Sequence, residues 1–199
     1  MKHKAGTVCM ALGIALLIAA LSLFGYNEWR SNQAGQASDS VLEKLSPMMA
    51  SPETAESPES ENDMPEVTVD GQTYIGTLTI PVLDLTLPVM ADWDYDKLQT
   101  APCRYSGTLA TKDLVIAGHN FIRHFGRLDT LRAGDVLVFT TMNDKKHYYT
   151  VARIETLDST DITDMTAGEY PLSLFTCDYS GQARITVRCE AAAAQNREL

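Results

Sequence analysis

Three residues of this 199-residue chain carry the side chains that thiol chemistry needs. Cys177 ends one apolar run, Arg184 opens the next after six intervening residues, and His119 ends a third run far upstream. A cysteine attacks as its thiolate, and a neighbouring imidazolium or guanidinium favours that form because the ordinary thiol pKa is about 8.5. The set therefore offers a nucleophile, a proton-transfer group and a cation.

The segment that joins Cys177 to Arg184 predicts a hairpin, since it contains Ser180-Gly181 and both flanking runs are strand-like. Residues at the two strand ends beside such a turn are neighbours. Arg188 is the alternative cation, because a residue four positions along a strand faces the same side. We prefer Arg184, which is nearer the turn, and expect Cys189 to point the opposite way.

The elements that must position these residues are short and rich in β-branched side chains, with turn residues between them. We predict strands at 74–80, 83–89, 114–119, 136–141, 147–155, 172–177 and 183–189. Helical patterning is limited to short pieces at 93–100 and 125–131. Several short strands with turn signals predict an all-β sandwich or barrel.

The N-terminus predicts a membrane anchor. Lys2 and Lys4 precede residues 5–26, which contain no charged side chain and are long enough to cross a bilayer as a helix. A cleaved signal peptide is the alternative, although its apolar core is normally only about 7–15 residues long. The positive-inside rule then predicts a cytoplasmic N-terminus, with the rest of the chain extracellular.

Residues 31–72 predict an acidic, Ser/Pro/Glu-rich extracellular linker. Nine of the acidic side chains behind the net charge of −10 lie between residues 31 and 70, against the single Lys44. A segment this polar buries too little apolar surface to offset its ordering entropy. We therefore expect three parts: a cytoplasmic start and anchor at 1–30, a flexible spacer at 31–72, and a folded barrel at 73–199. No basic stripe suggests nucleic-acid binding.

The other cysteine, histidine and acidic residues are expected to have structural or solvated roles. Cys103 and Cys189 allow a disulfide that would leave Cys177 free, but packing is the expected role of Cys103. The cysteines lack metal-ligand spacing, so we expect no metal and no cofactor. His124 is expected on a solvated surface loop. The acidic side chains between residues 158 and 169 do not have the spacing of a calcium loop and predict a solvated loop.

Three motifs in order resemble those of the sortase transpeptidases of Gram-positive bacteria. They are Ala117-Gly-His119-Asn120, Leu174-Phe-Thr-Cys177 and Arg184-Ile-Thr-Val-Arg188. The resemblance covers residues from about 73 to 190 and leaves the subclass open. The connection from Cys177 to Arg184 is short, and no lid over the cleft is evident in the sequence.

This resemblance implies an eight-stranded β-barrel with one or two short helices and a two-step acyl transfer. Cys177 would attack a Leu-Pro-x-Thr-Gly-like C-terminal sorting signal of a secreted protein and form a thioacyl intermediate. His119 would act as acid and base, and Arg184 would hold the substrate backbone or the oxyanion. The acceptor would be an amine of a peptidoglycan precursor or a pilin lysine.

Two other functions remain alternatives. A cysteine L,D-transpeptidase would act on peptidoglycan stems, but the expected Ser-His-Gly-Cys pattern is absent. A surface module that only binds peptides would share the barrel without its chemistry. The presence of all three residues, His119, Cys177 and Arg184, favours an enzyme over such a module.

Overall fold

The computed structural model describes residues 2–49 and 64–192, with the side chains of residues 2–5 left out. In these residues one long helix is followed by nine strands, with a short second helix between the seventh and eighth strands. The elements in chain order are α1 (Lys2–Met49), β1 (Val67–Val69), β2 (Gln72–Ile80), β3 (Leu85–Met90), β4 (Cys103–Ser106), β5 (Leu114–Ala117), β6 (Val136–Thr141), β7 (Lys146–Asp158), α2 (Ile162–Met165), β8 (Leu172–Cys177) and β9 (Ala183–Ala191).

Eight of the strands close into a barrel. The strand order is β2-β3-β4-β5-β8-β9-β7-β6, and β6 pairs again with β2. β1 adds a short antiparallel hairpin to the beginning of β2. Closure gives each barrel strand a partner on both sides, which removes the exposed sheet edges. The predicted eight-stranded barrel is confirmed.

The barrel interior is filled by alternate residues of the strands, as the two-residue period requires. These inward residues are fully or almost fully buried and include Ile75, Leu78, Ile116, Phe139, Leu174, Val187 and Cys189. The neighbouring residues of β8 and β9 therefore lie on the outer face. Cys189 points inward, opposite to the face of Arg184, as predicted.

A second apolar cluster lies outside the barrel wall. It contains Val41 and Leu45 of α1, Leu98 of the β3–β4 connection, Cys103, and Phe175 of β8. Cys103 thus packs in the outer cluster and Cys189 in the barrel interior. Both are buried free thiols, so the disulfide considered from the sequence is not formed. The packing role expected for Cys103 is confirmed.

Helix α1 has two different halves. The apolar residues of its first half are exposed, and this stretch is long and apolar enough to cross a membrane, consistent with an anchor. The second half packs against the barrel through a face that includes Ser31, Ala34, Ser38 and Leu45. The flexible spacer predicted from residue 31 is therefore wrong for 31–49, and residues 50–63 lie outside the described part.

The spacer prediction failed because the packed face of α1 consists mainly of small side chains. Ser31, Ala34 and Ser38 recur at intervals of three and four residues, which places them on one side of a helix. Small residues allow the helix to approach the barrel surface closely. They contribute little hydrophobicity, however, and low hydrophobicity is what predicted a disordered spacer.

Local differences from the predicted elements are small. The strand predicted at 114–119 ends at Ala117, and the one predicted at 147–155 runs to Asp158. β1 and β4 had not been predicted. The helical patterning around residues 93–100 and 125–131 gives only 3₁₀ turns, at Lys97–Gln99 and Leu128–Thr130.

Candidate active site

Cys177 is the last residue of β8 and lies directly opposite Arg184 in the antiparallel β8–β9 pair. Five residues connect the two strands. Asp178 secures this loop, because its carboxylate accepts hydrogen bonds from Ser180 Oγ at 2.6 Å and from the Ala183 amide at 3.1 Å. These hydrogen bonds lower the pKa of Asp178, with the Ser180 hydroxyl as the main cause. The sequence-predicted hairpin is present.

Arg184 is partly buried and rests against its own hairpin. Its Nη1 donates to the carbonyl oxygens of Gly181 at 3.2 Å and Ala183 at 3.1 Å. Among the described residues these are its side-chain hydrogen bonds, so Nε and Nη2 can still donate to another group. Its backbone is next to Cys177, but its side chain does not line the cavity described below.

His119 reaches the same end of the barrel from the adjacent strand. β5 runs parallel to β8, with Ala117 opposite Phe175, and the Gly118 amide donates to the Phe175 carbonyl oxygen at 3.0 Å. Gly118 is required there, because a Cβ atom at this position would lie 2.3 Å from the ring of Phe125. The parallel pairing therefore brings His119 beside the strand that ends at Cys177.

The imidazole of His119 is partly shielded from solvent. Its ring stacks on Phe121, with ring centroids 3.7 Å apart and planes 12° from parallel. Burial lowers the pKa of His119 below its ordinary 6.5, and the positive charge of Arg30 lowers it further, while the Asn120 side chain partly offsets both. The neutral imidazole is thereby favoured over the imidazolium.

His119 and Cys177 both line one cavity of about 260 Å³. Asn120 helps to close it, since its Nδ2 donates to the Asp178 carbonyl oxygen at 3.4 Å. The cavity is slightly smaller than ordinary small-molecule pockets of roughly 300–1,000 Å³. Within the described residues no acidic, histidine or cysteine cluster is placed to hold a metal ion.

Sequence reasoning missed the aromatic and apolar residues around this cavity. Tyr95 and Leu98 come from the β3–β4 connection, and Tyr179 follows Cys177 in the β8–β9 loop. Tyr95 is 66% exposed and Tyr179 is 85% exposed, although aromatic side chains bury large areas when they can. Aromatic residues in segments that flank a motif were the available signal, but sequence alone does not show that the β3–β4 connection lies near Cys177.

Arg188 is occupied by structural contacts. It is 4% exposed, and its Nε donates to Glu155 Oε1 at 2.7 Å. Its Nη1 donates to Ser173 Oγ at 3.0 Å and to the Met165 carbonyl oxygen at 3.1 Å. This agrees with the preference for Arg184 as the candidate cation.

His124 is not on a solvated surface, so that prediction is wrong. It is fully buried between the β5–β6 connection and α1, where its Nε2 lies 3.1 Å from Ser38 Oγ and 3.3 Å from the Ala34 carbonyl oxygen. Burial lowers the pKa of His124 to about 4, so the ring is neutral at neutral pH. The sequence-based prediction failed because it did not include α1 as a neighbour of this loop.

Cys177 is the half-buried thiol of the barrel. Burial raises the pKa of Cys103 to about 11 and that of Cys189 to about 12, so both remain protonated and shielded. Cys177 instead lines the cavity. The catalytic roles of Cys177, His119 and Arg184 stay predictions.

Comparisons with known proteins agree on one family. The family model described as Sortase domain matches residues 78–192. A Clostridium perfringens sortase D5 transpeptidase shares the fold with a TM-score of 0.63 and 18% identity, covering 79% of this chain and 99% of that one. Streptococcus pneumoniae sortase C aligns with a TM-score of 0.56 and 22% identity, covering 66% and 73%.

Sortase C1 of Streptococcus agalactiae aligns with a TM-score of 0.53 and 22% identity, covering 64% of this chain and 72% of that one. Among curated proteins no match is found. At these identities the solved structures show the fold, while the family model covers more than half of the chain. The closed barrel and the matched domain show that the chain belongs to the sortase family, which supports a cysteine transpeptidase.

Proposed function

We propose that this protein is a membrane-anchored transpeptidase that cleaves a Leu-Pro-x-Thr-Gly-like C-terminal sorting signal and transfers the protein to an amine. The acceptor amine belongs to a peptidoglycan precursor or to a pilin lysine. The observation that carries the proposal is a cavity lined by both Cys177 and His119, at the strand end where Arg184 lies opposite Cys177.

In the first step the Cys177 thiolate attacks the carbonyl carbon of the threonine in the sorting signal. A carbon–sulfur bond forms and the threonine–glycine amide bond breaks. The departing amine takes a proton from the His119 imidazolium, because an amide nitrogen leaves readily only when protonated. The products are a thioacyl enzyme and the released C-terminal fragment.

In the second step an amine attacks the thioester carbonyl. The neutral His119 accepts the proton of the attacking nitrogen, a new amide forms and the Cys177 thiolate leaves. The cycle ends with the same protonation states with which it began. The depressed pKa of His119 suits the step in which the imidazole acts as a base.

Arg184 is the candidate for holding the substrate or the oxyanion. Both of its hydrogen bonds use Nη1, and Nε and Nη2 remain to donate to a carbonyl oxygen. A preorganised donor to a developing oxyanion commonly lowers the barrier by about 2.7–4 kcal/mol. Because the guanidinium lies beside the cavity rather than in its wall, it would act on the part of the peptide that extends over the β8–β9 loop.

The anchor and its topology belong to the same proposal. Residues 1–30 would form the cytoplasmic start and the membrane-spanning helix, with residues 5–26 in the bilayer and the barrel at 73–199 outside the cell. The exposed apolar half of α1 and the basic Lys2 and Lys4 support this orientation. The substrates would then be secreted proteins that pass the membrane close to the barrel.

The test uses the full-length protein in detergent micelles with a fluorogenic library of sorting-signal peptides and a glycine or diaminopimelate nucleophile. Mass spectrometry should detect an acyl group on Cys177. Cys177→Ala should abolish both the adduct and the transfer, with a loss of about 10⁶-fold, as for other nucleophile deletions. Cys103→Ala is the matched control and should keep the adduct.

Cleavage that persists unchanged in Cys177→Ala would overturn the mechanism. Acylation by peptidoglycan stem peptides alone would favour the L,D-transpeptidase alternative. Peptide binding without any adduct would favour a binding module.

A further inference from the structure

The orientation of the His119 ring depends on stacking. Its Nδ1 is buried and has no hydrogen-bond partner among the residues that the structure describes, while the Asn120 side chain interacts with the ring and partly restores its pKa. The ring lies instead almost parallel to Phe121, at a centroid distance of 3.7 Å. A stacked contact fixes the plane of an imidazole without occupying a ring nitrogen, so both proton-transfer roles are compatible with it.

Arg30 extends this stack from another element. Its Cζ atom lies 5.6 Å from the centroid of the Phe121 ring, within the range of a cation–π contact. Its Nη2 donates to Gln99 Oε1 at 2.6 Å, which fixes the guanidinium between α1 and the β3–β4 connection. Arg30 thereby brings a permanent positive charge close to His119, and this charge opposes protonation of the imidazole.

The packed half of α1 holds Arg30 in this place. Ser38 Oγ donates to the Thr100 carbonyl oxygen at 2.6 Å and also lies 3.1 Å from His124 Nε2. Asp39, the next residue of α1, forms an ion pair with Arg123 Nη2 at 2.6 Å. These contacts fasten α1 to the connection that carries His119, so the stack depends on the helix that follows directly from the apolar segment.

We propose that Phe121 and Arg30 are positioning residues for His119. Phe121 fixes the plane of the imidazole, and Arg30 places a positive charge beside it from the packed half of α1. The expected effect of these residues on turnover rests on the proposed function. The stacking of His119 on Phe121 and the nearby charge of Arg30 do not depend on it. The other titratable groups around the imidazole are His124 on the same connection, Cys177 and Asp178 on β8 and its loop, and Tyr95 and Tyr179 around the cavity.

Each substitution should move the His119 pKa in a defined direction. Arg30→Gln removes a positive charge beside the imidazolium, so the pKa of His119 should rise. Arg30→Lys keeps the charge and should leave this pKa nearer to that of the wild type. Phe121→Ala admits water to the ring and should also raise the pKa, while it frees the imidazole to turn.

The experiment is a pH titration of the full-length protein in detergent micelles with ring-labelled histidine, followed by NMR. The four histidines are assigned by substitution. Arg123→Gln is the matched control, since it removes one guanidinium from the same contact between α1 and the loop without touching the stack. We expect an upward shift of the His119 pKa in Arg30→Gln and none in Arg123→Gln.

Turnover supplies a second measurement. Phe121→Ala should lower kcat/KM by about 100-fold, mostly through kcat, the loss that a slightly misplaced catalytic group produces. Phe121→Tyr keeps the stacked ring and should restore most of the activity. The arm of the pH–rate profile that His119 sets should move to higher pH in Arg30→Gln.

Equal pKa shifts in Arg30→Gln and Arg123→Gln would overturn the role of Arg30, because they would reflect general loosening of α1. An unchanged His119 pKa in both Arg30→Gln and Phe121→Ala would overturn the whole proposal. If the pKa shifts as expected but the wild type transfers no peptide, the positioning contact holds and the proposed function fails, so the two failures are distinguishable.

Discussion

In the β8–β9 hairpin an arginine lies opposite a small polar residue at two places on the same outer face. Arg184 lies opposite Cys177 near the turn, and Arg188 lies opposite Ser173 further along. The first pair borders a cavity and keeps free donors. The second is buried, and its arginine is bonded to Glu155, Ser173 and two carbonyl oxygens.

The difference between the two pairs comes from what covers them. Arg188 is covered by the segment around α2, whose backbone carbonyls accept its hydrogen bonds, and by Tyr170, whose ring centroid is 5.9 Å from its Cζ. Arg184 is next to a five-residue loop and is only partly buried. The same residue pattern on one pair of strands is therefore structural where it is covered and available for chemistry where it is not.

The largest effect expected from this comparison is a loss of stability at the covered pair, Arg188 and Ser173. Arg188→Ala should lower the free energy of unfolding by about 3–5 kcal/mol, because it leaves Oε1 of the partly buried Glu155 and two carbonyl oxygens without their donor. Urea unfolding followed by tryptophan fluorescence measures it.

Arg153→Ala is the matched control for this change. Arg153 is the exposed partner of the same Glu155, at 3.1 Å, and exposed pairs contribute about 0–1 kcal/mol. Similar losses in Arg188→Ala and Arg153→Ala would show that the covered pair is not structural.

At the open pair, Arg184 and Cys177, substitution of the arginine should lower activity and leave stability almost unchanged. Arg184→Ala should lower kcat/KM by about 10²–10³-fold, equivalent to about 2.7–4 kcal/mol in the barrier. Its free energy of unfolding should change by no more than about 0.5 kcal/mol, as for most surface substitutions. Steady-state kinetics with the peptide that gives the Cys177 adduct measures the first value.

Arg184→Lys keeps the charge but not the planar pair of donors, and it should recover only part of the activity. If the folded fraction of Arg188→Ala loses as much kcat/KM as Arg184→Ala, the division of roles between the two arginines is wrong.

The smallest expected effect is on stability and comes from Asp178 in the β8–β9 loop, beside Cys177 and Arg184. The carboxylate of Asp178 is stabilised by Ser180 and Ala183, so its pKa is lower in the folded protein than its ordinary 3.8. This stabilisation is complete above the ordinary pKa and is lost as the pH falls through the lower folded value.

Asp178→Asn should therefore be slightly less stable than the wild type at pH 7, and the gap should close at strongly acidic pH. Thermal unfolding of both proteins from pH 7 downwards measures it. A gap that widens on acidification would contradict the assigned direction.

Local sequence patterns predicted the strands that carry the site. The alternation in β2, β6, β8 and β9 is strong enough to place them within a few residues. β4 was missed because it has four residues and follows Pro102, too short a run for alternation to show. Half of α1 was missed because small residues form its packed face, and hydrophobicity does not report how closely a helix approaches its neighbour.

The sequence by itself predicted the family, the barrel class, the apolar N-terminal segment and the three candidate residues, because motifs and strand periodicity are local properties. The tertiary structure decided which arginine is free, where His124 lies and what faces the His119 ring. Those facts depend on contacts between segments about 60 to 90 residues apart, such as Arg30 with Gln99 and Phe121, and no local pattern encodes them. The burial of a polar side chain is set by the element that covers it, so its role follows from packing rather than from residue type.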